Sequence, residues 1–367
     1  MTDDLRVALI GAGNISAIYV KMLGQLPGVR VVGVADVITE KAVEVAATSP
    51  GARAMTVDEA TTGASDVDLA VNLTIPSAHA DVTLAAIDGG RHVYTEKPFA
   101  TTSHDGKKIL TAAKAKGVRV GCAPDTVLGT GIQTARQIID SGRVGEAIAA
   151  AAFFIGRGPD NWHPNPDFFY QEGAGPLYDV GPYYIATLLQ LLGPVRRVTA
   201  FARPSWKERT VSSGVNAGHV IEVDVDTHVT ASLEHESGAL STLIATFDVH
   251  SSRVPRVEIW GADGSVSVPD PNTFAGDVDV FTPGGTWETS PPTAGIKDTQ
   301  RGTGVADMAR AIRHDEPHRA SAEMGYHGLE VMESVIEAAH AGKAVDIDST
   351  FERPALMPLA DFSYFAS

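Results

Sequence analysis

The chain has 367 residues, 44% hydrophobic and 20% charged, and 29 Lys plus Arg against 45 Asp plus Glu give a formal charge of −16. The length predicts about two domains, the apolar fraction excludes a disordered chain, and the acidic balance argues against nucleic acid or anionic membranes as partners. With one cysteine, Cys122, a disulfide framework or multi-cysteine metal site is excluded; with no apolar run near about 18 residues and an acidic start, Met1-Thr2-Asp3-Asp4, a cytoplasmic protein without a membrane span is expected.

Over the first 120 residues short β-rich runs alternate with helical stretches. Strands are predicted at 5–10, 29–35, 69–73, 92–95 and 118–121, and helices near 14–24, 39–48, 78–88 and 102–116. This alternation predicts parallel βαβ units. The nearly continuous apolar strands predict helices on both faces of the sheet. The expectation is a doubly wound α/β Rossmann domain over residues 1–122. Beyond residue 145, β-rich stretches occupy 146–157, 195–203, 219–236, 239–249 and 255–268, with helices near 175–192, 301–314 and 321–341. Ser237-Gly238 reads as a hairpin turn. Strands in succession predict an α+β domain over residues 123–367, with a large, mostly antiparallel open sheet and helices on one side. Residues 269–295, rich in Pro, Gly and Thr, are expected to be loop-dominated.

Leu5-Arg6-Val7-Ala8-Leu9-Ile10 runs directly into Gly11-Ala12-Gly13-Asn14-Ile15-Ser16. A strand, a glycine turn and a helix start form the seat of a dinucleotide pyrophosphate. Gly11 permits the tight turn, Gly13 lets backbone approach the phosphates, and the helix start supplies free N–H groups and a positive dipole end. Ser16 stands where the pattern has Gly or Ala, which predicts looser helix–strand packing. Asp36 ends the second strand, where a carboxylate accepts hydrogen bonds from the adenosine ribose and repels a 2′-phosphate. Val37-Ile38-Thr39 offers no Arg for such a phosphate, so NAD(H) is expected over NADP(H). Thr74-Ile75-Pro76 with His79, and Thr95-Glu96-Lys97-Pro98, follow two further strands and face the same crevice. An ordinary glycine-rich turn and a solvated loop lysine are the plainer readings of these residues.

Taken in order, Gly11-Ala12-Gly13-Asn14-Ile15, Thr74-Ile75-Pro76 with His79, Glu96-Lys97-Pro98 and Gly173-Ala174-Gly175-Pro176-Leu177-Tyr178-Asp179-Val180-Gly181-Pro182-Tyr183 resemble the Gfo/Idh/MocA family. Arg301-Gly302-Thr303-Gly304 and the helix around 329–339 extend the resemblance over most of the chain. The resemblance implies a two-domain NAD(P)-dependent oxidoreductase acting on a sugar, cyclitol or related polyol. It implies that Lys97, Asp179 and Tyr183 are catalytic and meet at the nicotinamide. It implies a cofactor site of Gly11, Gly13, Asn14, Ile15, Asp36, Thr74, Ile75, Pro76, His79, Glu96 and Lys97, and a homodimer or homotetramer assembled through the C-terminal sheet. Many members carry His where this chain has Tyr183, which leaves the proton donor open.

The residues themselves add detail. Pro176 after Gly175 suits the first turn of a helix. Asp179 and Tyr183, at i and i+4, are expected on one helix face, with Pro182 kinking the segment near the Tyr178 carbonyl. Asn161-Trp162-His163-Pro164-Asn165 is a polar, aromatic loop suited to stacking on and hydrogen-bonding a sugar. Trp162, His163, Tyr183, Asp125 and His327 are the candidate substrate contacts, each with an ordinary structural alternative. Glu222, Asp224, Asp226 and His228 recur at period two and predict the polar face of a strand rather than a metal site, so no metal is expected. Ser205 and Ser213 lack the context of a nucleophile elbow. Two further functions stay open: a redox-neutral NAD-dependent sugar lyase or glycosidase, and a non-catalytic NAD- or sugar-sensing regulator, against which the intact Lys97, Asp179 and Tyr183 argue.

Overall fold

The computed structural model describes residues 4–63 and 66–366, so Met1-Thr2-Asp3 of the acidic start lie outside the described residues. Two compact units emerge, Met1–Gln133 with Pro292–Leu329 and Pro354–Ser367, and Thr134–Pro291 with Glu330–Arg353.

The first unit is built on β1 (Leu5–Ile10), α1 (Ser16–Leu23), β2 (Val29–Ala35), α2 (Thr39–Ala46), β3 (Arg53–Met55), β4 (Leu69–Asn72), α3 (His79–Asp88), β5 (His92–Thr95), α4 (Ser103–Lys116) and β6 (Val120–Cys122). All six strands are parallel, in the order β3-β2-β1-β4-β5-β6. This is the doubly wound arrangement, and its topological switch point lies between β1 and β4. Val7 to Ile10, Leu69 to Val71 and Val93 are wholly buried, which explains why these strands read as unbroken apolar runs. Local signals set the helix ends. Thr102 caps α4 by accepting a hydrogen bond from the Asp105 N–H at 3.1 Å, and Gly117 closes it in the left-handed region at φ 67°. β3 escapes the sequence pattern because it is three residues long and only its last one is buried.

A helix absent from the sequence expectations, α5 (Thr130–Asp140), runs from one unit into the other. Its Ile132, Ala135 and Ile138 recur at helical spacing and are buried, together with the polar Gln133, Thr134 and Arg136. The second unit continues with β7 (Ala147–Ile155), α6 (Pro176–Asp179), α7 (Gly181–Leu192), β8 (Val195–Arg203), β9 (Glu208–Thr210), β10 (Val220–Glu222), β11 (His228–His235), β12 (Leu240–Thr246), β13 (Val257–Gly261), β14 (Gly264–Val268), β15 (Val278–Phe281) and β16 (Glu288–Ser290). After α8 (Thr303–His314) and α9 (Ala322–Ala341), β17 (Val345–Asp346) completes a nine-stranded sheet ordered β16-β15-β14-β13-β7-β12-β11-β8-β17. Only β12 and β7 pair in parallel among these neighbours; the sheet is otherwise antiparallel, and α7 is buried along its whole length.

One local expectation is corrected. The stretch 219–236 is two strands: β10 pairs with β9 in a separate two-stranded sheet, and β11 belongs to the large one. Glu222, Asp224, Asp226 and His228 therefore do not share one strand face. The Asp224 N–H donates to the Tyr170 carbonyl at 2.9 Å, Asp226 meets His340 at 2.8 Å, and His228 meets the Thr246 hydroxyl at 3.0 Å. The loop-dominated stretch 269–295 also carries the short paired strands β15 and β16. Residues 292–329 and 354–367 pack with the first unit. The Cys122 N–H donates to the Ala320 carbonyl at 3.0 Å, and Ile296 donates to Leu128 at 3.0 Å, so the chain returns to the edge of the parallel sheet. No helix among the described residues is long and apolar enough to cross a membrane.

Candidate active site

The turn after β1 is shaped by its glycines. Gly11 has φ 107°, and a Cβ there would lie 2.6 Å from the Leu73 carbonyl oxygen, so the close approach of β1 and β4 at the switch point requires glycine. Gly13 is different: it is exposed, and a Cβ would meet no protein atom within 4 Å. Nothing inside the protein demands glycine at 13, and the open backbone is a cradle that a side chain would fill. α1 begins beside it with no side-chain cap and no acidic residue in its first turn, leaving N–H groups and dipole for an anion. Around the turn, Val37 is 89% exposed and Ile75 68% exposed, apolar surface at the carboxyl ends of β2 and β4. These features fit a dinucleotide. Ser16 is buried without loosening the packing, since its hydroxyl donates to the Gly13 carbonyl at 2.7 Å. Asp36 ties the turn to β2: Oδ2 accepts the Ala12 N–H at 2.7 Å and Oδ1 the Ile38 N–H at 2.8 Å.

The loops after β4 and β5 are locked together. Asn72, wholly buried, accepts the Thr74 hydroxyl at 2.6 Å and donates to the His79 carbonyl at 3.0 Å. His79 is also wholly buried, with Nδ1 2.7 Å from the Pro98 carbonyl and Nε2 3.0 Å from the Thr74 carbonyl. Burial lowers its pKa, opposed by those two carbonyls. Its ring reaches no surface, so its place is between the two loops. Glu96 accepts the Tyr19 hydroxyl at 2.8 Å and, through Oε2, the Lys97 N–H at 3.0 Å. Lys97 is thereby fixed, half-buried, at the carboxyl end of β5 between buried Glu96 and Pro98. Asn72 and Tyr19 were not singled out in the sequence, although an Asn closing the apolar run Leu69-Ala70-Val71 was a legible signal.

Asp125 and His327 also belong to the first unit, and both are enclosed. Asp125 Oδ2 accepts the N–H groups of Gly302 and Gly304 at 2.8 and 2.9 Å, holding the start of α8 as a distant cap. That accounts for the Arg301-Gly302-Thr303-Gly304 motif structurally. Burial, opposed by those two hydrogen bonds, pushes the Asp125 carboxyl up from 3.8 to about 6. A carboxyl that holds its proton more tightly when folded stabilises the native state fully below 3.8, and this is lost as pH rises through about 6. At 1.36 kcal/mol per pH unit, the loss is roughly 3 kcal/mol. The wild-type denaturation midpoint is therefore expected to fall relative to Asp125→Asn between pH 4 and 7. Parallel pH curves for the two proteins would contradict the assignment.

In the second unit, α6 ends at Asp179 and α7 starts at Gly181, with Val180 between them at φ −108°. The continuous helix expected through Asp179 and Tyr183 is thus two helices. Pro182 sits in the first turn of α7, where its missing N–H costs nothing, and the backbone before a proline disfavours helix. The Tyr183 N–H donates to the Val180 carbonyl at 3.1 Å and Asp179 to Gly175 at 3.0 Å. Tyr183 is buried and Asp179 half-buried. The loop ahead of α6 gathers aromatic rings. Trp162, 67% exposed, and Phe168, 50% exposed, flank His163 with ring centroids at 5.4 and 5.5 Å, and Phe169 lies 5.1 Å from the same imidazole. His163 Nδ1 accepts the Asn165 N–H at 3.1 Å, leaving Nε2 as the donor of a neutral ring. Beneath the loop, buried Asp160, Arg209 and Asp248 form an ion-paired network that the sequence did not reveal. Among the described residues no cluster of His, Cys, Asp and Glu is placed to hold a metal ion.

Comparison with known proteins places these features. Residues 5–123 match the model of an oxidoreductase family with an NAD-binding Rossmann fold, and residues 132–267 match the GFO/IDH/MocA C-terminal domain. Inositol 2-dehydrogenase 3 of Saccharopolyspora erythraea is 26% identical over 96% of this chain and 98% of its own. The 1,5-anhydro-D-fructose reductase of Ensifer adhaerens is 26% identical over 94% of this chain and 99% of its own. An NAD binding oxidoreductase from Klebsiella pneumoniae shares the fold, with a TM-score of 0.80 at 22% identity over 94% of this chain and 99% of that one.

Proposed function

The chain belongs to the GFO/IDH/MocA oxidoreductase family, and on that premise we propose that it is an NAD(H)-dependent dehydrogenase or reductase of a secondary alcohol or ketone in a sugar, cyclitol or related derivative. The observation that carries this reading is the glycine turn at the switch point, closed at Gly11 and open at Gly13, with Lys97 fixed two strands away in the same unit. The relatives named above act on inositol and on 1,5-anhydro-D-fructose, which supports a polyol substrate.

When bound, NAD(H) supplies the acceptor or donor of hydride. Lys97 donates a hydrogen bond to the reacting oxygen and stabilises negative charge developing there. Tyr183 removes the hydroxyl proton in oxidation and returns it in reduction. Asp179 orients the substrate. Trp162 and His163 offer a ring face and a hydrogen-bond donor to the sugar. The deciding experiment is a panel of cyclitols, aldoses, anhydrosugars and glycosides with NADH and product followed together. NADH accumulating in step with an oxidised product is expected; product without net NADH would favour redox-neutral elimination.

Cofactor choice rests on Asp36. Asp36→Ser is expected to weaken NAD binding by about 10-fold while narrowing the NAD-over-NADP preference, as measured by titration with both cofactors. Because Asp36 also holds the Ala12 N–H, some loss is common to both cofactors, so the ratio is the informative quantity. Tighter NADP(H) binding by the unaltered protein would overturn the assignment.

A second copy of the chain is the proposed partner of the large sheet. Across β13, β7, β12, β11 and β8 one register row reads Glu258, Ala151, Thr242, Ser232, Thr199, and a neighbouring row reads Trp260, Ala149, Leu240, Glu234, Arg197. Exposed Phe201, Leu240 and Trp260 stand among small, hydroxyl and a few charged side chains, an apolar-bearing face suited to self-association. Light scattering at micromolar concentration is expected to give a dimer or tetramer.

A further inference from the structure

We propose that the tip of the β9–β10 hairpin, residues 211–219, is a positioning brace that holds the aromatic loop 159–170 in its substrate-ready form and so sets substrate affinity. The inference rests on the reading of Trp162 and His163 as sugar contacts. The tip is closed by its own backbone, Gly218 N–H to the Val211 carbonyl at 2.8 Å and Val211 N–H to the His219 carbonyl at 2.9 Å. From it, four groups reach the aromatic loop. The Ser212 N–H donates to the Asp160 carbonyl at 3.0 Å, and the Ser213 hydroxyl to the Asn161 carbonyl at 2.6 Å. The Asn216 side-chain amide donates to the Pro164 carbonyl at 2.8 Å, and His219 Nε2 meets Asp167 Oδ1 at 2.7 Å.

These contacts fall where the loop has least support of its own. The loop starts at Asp160, anchored from below by buried Arg209, and ends at Phe169 and Tyr170, which sit in a buried apolar cluster. Between those anchors Trp162 and Phe168 are largely exposed, so the core does not fix them. Binding through a mobile aromatic loop loses affinity to the ordering of its side chains, and a scaffold that orders them beforehand recovers it. Three of the four contacts end on backbone carbonyls and the fourth on the Asp167 carboxylate, so they fix the course of the loop and leave its ring faces open.

The test uses the full-length variant Ser213→Ala/Asn216→Ala/His219→Ala with NAD and the best substrate of the panel. Expected are an about 10-fold higher substrate KM, kcat within about twofold, unchanged NAD affinity and faster hydrogen exchange across 159–170. Trp162→Ala is expected to raise KM as well, and combining it with the brace variant should add less than the two single effects multiplied, since both act through one loop. An unchanged KM, or an equal fall in kcat and kcat/KM, overturns the brace alone. Absence of turnover by the unaltered protein on the whole panel overturns the parent reading and the brace with it. Should the triple variant fail to fold, the single change Asn216→Ala, at an exposed side chain, carries the same KM-against-kcat test with an expected rise of about threefold.

Discussion

Lys97→Ala is expected to lower turnover by about 100-fold or more while NAD still binds with near-native affinity. The lysine head group is assigned to charge that develops on the reacting oxygen, so its loss falls on the transition state and lowers kcat and kcat/KM together. The glycine turn, the open N-terminus of α1 and Asp36 are independent of that side chain, which is why cofactor affinity should survive. Lys97 is positioned through its backbone: its N–H is held by Glu96, and Glu96 by Tyr19, so truncation of the side chain leaves the loop in place. Tyr183→Phe is expected to give a loss of similar size, since it removes the transferable proton and keeps the ring. Stopped-flow measurement of NADH with pre-bound cofactor separates the chemical step from binding in both variants. Near-normal turnover in Tyr183→Phe would remove it as the acid or base.

The sequence carried the parallel sheet because its strands are buried on both faces and alternate with helices, a pattern that needs no long-range information. The glycine turn was legible for a similar reason: Gly11 answers a local backbone demand and Gly13 an open one. What stayed hidden depended on distant partners. The hydrogen-bond donors of Asp125, Gly302 and Gly304, lie far along the chain. His79 and its two carbonyl partners, and the return of 292–329 to the first unit, are equally non-local. The helix expected through Asp179 and Tyr183 failed on a local rule: Pro182 was allowed to kink a helix interior, whereas a proline is better accommodated by starting a new helix. The alternation over 219–236 continued through Asp224 and Asp226 although the strand does not, because side-chain periodicity is blind to which sheet a segment joins.

Arg209→Leu is expected to destabilise the second unit by about 3–5 kcal/mol, the cost of breaking a buried ion pair from one side. Arg209 is 4% exposed and lies between two enclosed carboxylates, with Nη2 2.9 Å from Asp160 Oδ1 and Nη1 2.9 Å from Asp248 Oδ1. Removing the guanidinium leaves the buried Asp248 carboxylate with the Thr227 hydroxyl at 2.6 Å, and Asp160 with the Tyr170 hydroxyl and only the longer ion pair to Arg157 at 3.8 Å. Arg209→Lys is expected to recover only part of the loss. An ammonium carries the charge but cannot serve both carboxylates and the Phe247 carbonyl, 3.2 Å away, from one planar fork. Adding Asp160→Asn and Asp248→Asn to Arg209→Leu should restore much of the stability, because the penalty comes from the unpaired charges rather than from the lost contact. The denaturant midpoint of the transition that reports the second unit is the measurement. A fall worth less than about 1 kcal/mol in Arg209→Leu would mean that water reaches the carboxylates, contrary to their burial. The same network anchors the start of the aromatic loop. Arg209→Leu should therefore also raise substrate KM at temperatures where the protein remains folded, joining the stability of this unit to the affinity of its candidate substrate site.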